Sequence, residues 1–214
     1  DMGVRAEHLW GLDFSTVQQP PYQGLKQLGF SLEKEMDDKD KITLAAMEDR
    51  LEINAASPAF GLMVNKNINL EKPDTIEIEW GINKYPEGAD WDREINREAV
   101  MVYLFFGEPM DADKFYLPDS PRFLGLFLCK DELQMVPYLG KNYRETGKYI
   151  CLGEPELGET VYTSFNFHQA FRELFGTDEV PPVTGLGIEV DTSDLPDGRS
   201  SAFIKYIGLT RETN

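Results

Sequence analysis

The chain has 214 residues, 41% of them hydrophobic, which is enough to build a sizeable core in one domain spanning residues 1–214. Its formal net charge is −17, from 38 acidic against 21 basic residues, and no basic run interrupts the acidity. Nucleic acids and anionic membrane surfaces demand clustered Lys and Arg, so neither is expected as a partner. The most apolar run, "AVMVYLFFG" (Ala99–Gly107), is strand-length and far below the roughly 18 apolar residues of a membrane-spanning helix.

Residues 1–24 mix aromatics with the turn-rich "QQPPYQG" and read as an irregular N-terminal arm. A chain opening Asp1-Met2 reads either as a processed mature form or as a trimmed one. The charged "KEMDDKDK" follows as a solvated loop. In "RLEINAAS" (Arg50–Ser57), Leu51, Ile53 and Ala55 share one side and Glu52 and Asn54 the other, the period of a half-buried strand. "AFGLMVNKNINL" (Ala59–Leu70) predicts a second strand. "DTIEIEW" (Asp74–Trp80) alternates, with Ile76, Ile78 and Trp80 opposite Glu77 and Glu79. "AVMVYLFFG" and "FLGLFLC" (Phe123–Cys129) are apolar on both faces, as in central strands covered on both sides. "LQMVPYLG" (Leu133–Gly140) and "GKYICLG" (Gly147–Gly153) predict shorter strands.

One segment has a helical period. Phe167, Ala170, Phe171, Leu174 and Phe175 fall on one stripe of "NFHQAFRELFG", with Asn166 as N-cap and Gly176 just past the end. Two more strands, "VTGLGIEVD" and "SAFIKYIGL", close the chain. About eight to ten short strands and one helix predict an all-β, jelly-roll-like sandwich with the helix packed on it.

Four segments in order, "TIEIEWGINKYPEGAD", "AVMVYLFF", "FRELFG" and "VTGLGIEVDTSDLPDGRSSAFIKYI", resemble the bacterial domain of unknown function family 3047 across residues 50–209. The resemblance implies a jelly-roll sandwich of the galactose-binding or carbohydrate-binding kind, exported to the periplasm or outside the cell. It implies no reaction. The chain also departs from that family. Asn96 and Arg97 stand where the family has paired acids, Met101 where it has an arginine, and Leu128 at its tryptophan.

Several groupings are candidate sites. The loop "DTSDLPDG" packs Asp191, Asp194 and Asp197 together. Either they hold a structural calcium ion, a hard cation that takes several oxygens from a tight loop, or Pro-Asp and Asp-Gly close an ordinary turn. "WGINKYPEGADWD" combines aromatic rings with amides and carboxylates. Asn83, Tyr85, Trp91 and Asp92 therefore form a candidate glycan site, unless Tyr85 and Trp91 simply pin the loop. Glu77 and Glu79, about 7 Å apart on one strand face, have the spacing a glycosidase asks of its carboxyl pair, or else form a solvated face. Histidines number two, with no nucleophile motif near either. Cys129 and Cys151 lack a CxxC or Cys/His pattern, so they form either one disulfide or two buried thiols. The expectation is an exported, non-catalytic binding domain for a glycan or protein partner. The alternatives are an accessory subunit of an extracellular assembly, or a carbohydrate-active enzyme using Glu77, Glu79 or Asp92.

Overall fold

The computed structural model describes residues 5–213, in which thirteen strands and two α-helices form a jelly-roll-like β-sandwich. Sheet A carries, in order, β11 (Val161–Asn166), β6 (Thr75–Lys84), β13 (Ser200–Thr213), β4 (Leu51–Ala55) and β3 (Ile42–Ala46). β1 (Arg5–Asp13) pairs along the second half of β13. Sheet B carries β2 (Phe30–Lys34), β5 (Phe60–Asn65), β12 (Val183–Asp191), β7 (Glu98–Met110), β8 (Ser120–Leu128), β10 (Gly147–Gly153) and β9 (Pro137–Tyr138).

The alternation in the sequence becomes the sandwich interior. Leu51 and Ile53 from β4, Ile76, Ile78 and Trp80 from β6, and Ile204 and Ile207 from β13 meet the inward residues of sheet B. Trp80 is fully buried, and its indole N–H donates to Thr163 Oγ1 at 2.9 Å, so the ring enters the core without stranding its polar atom. β7 is covered on both faces, as its unbroken apolar run predicts. Val100, Val102, Leu104 and Phe106 face the interior, while Met101 and Tyr103 join a second, largely aromatic cluster on the outer face of sheet B.

The predicted helix is α2 (Phe167–Phe175). The Asn166 side chain accepts from the Gln169 N–H, and Gly176 ends the helix in the left-handed region. Phe167 and Phe171 dock on Phe106 of β7.

Two stretches differ from their reading. The supposed irregular arm, apart from residues 1–4 outside the described range, folds into β1 and a short helix, α1 (Pro21–Gln27). Pro21 sits in the first helical turn, where its missing N–H costs nothing, so the Pro-Pro pair starts the helix instead of a turn. Tyr22 of α1 donates its hydroxyl to Ile42 O at 2.9 Å and accepts from Leu44 N at 3.1 Å, satisfying the free edge of β3. In "LQMVPYLG", only Pro137 and Tyr138 pair as a strand, and Leu133 and Met135 lie exposed.

β8 and β10 run parallel, which brings their C-terminal ends side by side. Cys129 and Cys151 are joined there by a disulfide, resolving the choice left open by the sequence.

Candidate functional site

The four residues of the candidate glycan loop do not gather around one opening. Trp91 opens a short 3-10 turn, Trp91–Arg93, whose N-terminus is capped by the Asp90 side chain. It is only 5% exposed, and its ring packs on Phe127 and Tyr149 at 4.8 and 4.9 Å between centroids. Its N–H donates to Arg97 O at 3.1 Å. The aromatic outer layer of sheet B needs a lid, and Trp91 serves as one, with no ring face left for a sugar. Asp92 accepts from the Tyr138 hydroxyl and from Leu133 N, and the Tyr85 hydroxyl donates to Pro155 O at 2.6 Å. These three residues pin loops. Asn83 lies on sheet A, where its amide donates to Glu52 Oε2 at 3.4 Å and Ser201 Oγ at 3.3 Å.

The aspartate loop is tied together internally. Asp191 accepts from Ser193 N at 3.0 Å and Ser193 Oγ at 2.6 Å, and Asp197 accepts from Arg199 N at 2.9 Å, the local bonds of Asx turns. Arg97 reaches in from the neighbouring loop, 3.5 Å from Asp191 Oδ1 and 3.1 Å from Asp194 Oδ2. Burial pushes the Asp191 carboxyl up, with Ser193 and Arg97 opposing it. Gly198 adopts φ +66°, and a Cβ there would lie 2.1 Å from Pro58 N, so the tight path requires glycine. Among the described residues, no three His, Cys, Asp or Glu side chains are grouped to hold a metal ion. The guanidinium of Arg97 is the cationic group that faces Asp191 and Asp194 in this loop.

What the structure does assemble is a polar and aromatic patch on the outer face of sheet A. Glu79 of β6 stands opposite Tyr162 of β11 on one side and Tyr206 of β13 on the other. One row along, Glu77 stands opposite Ser164 and Gly208. The Tyr206 ring lies flat across the backbone, since a Cβ at Gly208 would fall 2.3 Å from its hydroxyl and one at Gly11 2.8 Å away. His8 of β1 sits alongside, its ring 6.4 Å from that of Tyr206 and its Nδ1 3.4 Å from the hydroxyl. Tyr162 is 59% exposed. Partial burial and the neighbouring carboxylates of Glu77 and Glu79 push the Tyr162 hydroxyl up to about 12. Burial and the same two carboxylates raise Tyr206. Both phenols therefore keep their protons and remain donors beside carboxylate acceptors.

Glu77 and Glu79 were visible as a pair from the alternation of β6. Their tyrosine partners were not. A register shift between Ile204 and Tyr206 puts Phe203 and Tyr206 on the same face, so counting by twos from Phe203 sends Tyr206 inward.

No family model matches the chain, and no curated protein matches it. Several solved structures are similar to it at low identity. Endoglucanase 3 from family GH12 of Trichoderma harzianum is 9% identical with a TM-score of 0.44, over 100% of this chain and 99% of that one. A family 12 xyloglucanase from Bacillus licheniformis is 7% identical with a TM-score of 0.47, over 97% and 100%. The mannan-recognising carbohydrate-binding module TmCBM27 is 12% identical with a TM-score of 0.40, over 98% and 99%. The chain's own two sheets make it an all-β sandwich of the jelly-roll kind.

Proposed function

We propose that the chain is an exported, non-catalytic domain that binds carbohydrate on the outer face of sheet A, through Tyr162, Tyr206, Glu77 and Glu79. The observation that carries this reading is the row Tyr162–Glu79–Tyr206 across three neighbouring strands, with Tyr162 open to solvent. A pyranose ring offers apolar C–H faces to an aromatic ring and hydroxyls to carboxylates and phenols, and this row offers both within one strand spacing on each side. The Cys129–Cys151 disulfide supports an oxidising compartment, periplasmic or extracellular. The resemblance to family 3047 belongs to the same proposal, as an exported sandwich that has lost several of the family's polar positions.

The test is a glycan array followed by calorimetry on the best hit. Tyr162→Ala is expected to weaken binding about tenfold, roughly 1.4 kcal/mol. Gly208→Ala, which displaces the Tyr206 ring, is expected to weaken it similarly. Binding that survives both changes, or no binding to any sugar, refutes the proposal. Release of product from a polysaccharide, abolished in Glu79→Gln, would establish an enzyme instead.

A further inference from the structure

The outer face of sheet A does not end at Tyr206; it continues onto β1. Asp13 pairs with Tyr206, Leu12 with Ile207 and Gly11 with Gly208, in unbroken register. Then Trp10 pairs with Leu209 while His8 pairs with Thr210, so Leu9 is one residue too many. That β-bulge puts His8 on the same face as Gly11, which plain alternation would forbid. Paired residues share a face, so His8 and Gly11 join Tyr206 and Gly208 on the outside of the sheet.

Two glycines side by side leave a shallow gap in this face, and two rings cover it from opposite ends. The Tyr206 ring lies over Gly208, where a Cβ would fall 2.3 Å from its hydroxyl oxygen and 2.8 Å from its Cζ. The His8 ring lies over Gly11, where a Cβ would fall 2.7 Å from its Cε1 and 2.8 Å from its Nε2. The ring centroids are 6.4 Å apart and the planes are inclined by 25°, so the two make one platform. His8 is exposed and Tyr206 half-buried. Alongside, on β6, Glu79 stands opposite Tyr206 and Glu77 opposite Gly208. Both carboxylates are half-buried, and among the described residues neither has a Lys or Arg within ion-pair reach.

We propose that this platform seats two consecutive units of a linear, uncharged, β-1,4-linked glycan, one on Tyr206 and the next on His8, with Glu79 and Glu77 accepting from their hydroxyls. The proposal rests on the sugar-binding reading of the same face, and adds to it a residue, His8, and a ligand class. A pyranose carries its C–H groups on the faces of its ring, so it stacks on an aromatic ring that lies flat. Equatorial β-1,4 links hold successive pyranoses in an extended ribbon, which matches two rings set in line. Ionised carboxylates accept hydrogen bonds and donate none, so sugar hydroxyls are suitable partners. An acidic sugar is disfavoured, because its charge would meet Glu77, Glu79 and Asp13 with no cation beside them to offset it.

The test is calorimetry at pH 7 with two ladders, glucose to cellotriose and mannose to β-1,4-mannotriose. In at least one ladder the disaccharide is expected to bind about tenfold tighter than its monosaccharide. His8→Ala is expected to bind the disaccharide no better than the monosaccharide; His8 is exposed, so its loss leaves the core intact. Gly11→Ala, whose methyl would occupy the space of both rings, is expected to do the same. His8→Phe, which restores a ring without a titratable nitrogen, should keep the gain. Cellotriose oxidised to glucuronate units should not bind. A gain that is absent, that survives His8→Ala or that is lost in His8→Phe overturns the proposal while leaving the sugar face standing, as does binding of the oxidised chain. No binding in either ladder overturns it too, and the glycan array with Tyr162→Ala then decides separately whether the sugar face falls with it.

Discussion

Glu189 shows how one residue couples folding to pH. Burial, the largest influence, pushes its carboxyl up to about 7 and raises Glu98 well above the usual carboxylate range. The groups facing the pair are Tyr103 and Tyr149, both raised and uncharged, with Asp191 and Arg97 at its edge. The folded chain therefore keeps a proton that the unfolded chain releases near 4.5. The unfolded state binds fewer protons across that window, so stability is full below it and declines as pH rises through about 7. Asp191 and Glu132, both raised by burial, act in the same direction. Thermal melts are expected to show a lower midpoint at pH 8 than at pH 5. Glu189→Gln, which cannot ionise, should flatten the decline. An equal slope in that variant would place the effect elsewhere.

At the scale of elements, legibility followed burial. β6, β7 and α2 could be read because each buries a full face, so selection for the core writes a clean period into them. β1 was missed because most of its side chains are exposed on both faces, which leaves no period to read. "LQMVPYLG" misled in the opposite sense, being apolar in composition yet exposed at Leu133 and Met135. The candidate sites were lost to register. The slips beside Tyr206 and His8 each bring residues of the wrong parity onto one face, and no residue type marks such slips in advance. The Asp191–Asp197 loop was legible as turn chemistry; its partner Arg97, 94 positions before Asp191, was not. Because that arginine already pairs with Asp191 and Asp194, chelation with EDTA is expected to leave the melting midpoint unchanged. A midpoint that falls on chelation and recovers with added calcium would return the loop to its role as an ion site.

The whole molecule sets two unlike surfaces back to back. The outer face of sheet A is polar and open around Glu77, Glu79 and Tyr162, whereas that of sheet B is sealed by Trp91 over aromatic rings. The proposed binding face and its extension onto β1 thus lie on sheet A alone, so either sheet's surface can be altered without touching the other. The Cys129–Cys151 link carries a further consequence for the intact chain. It closes a covalent ring over a span of 22 residues, and that ring includes the exposed Leu133 and Met135. A protease that cuts beside Leu133 severs one peptide bond inside the ring and frees nothing. The product should migrate as a single species by mass until a reductant is added, and only then part into two fragments.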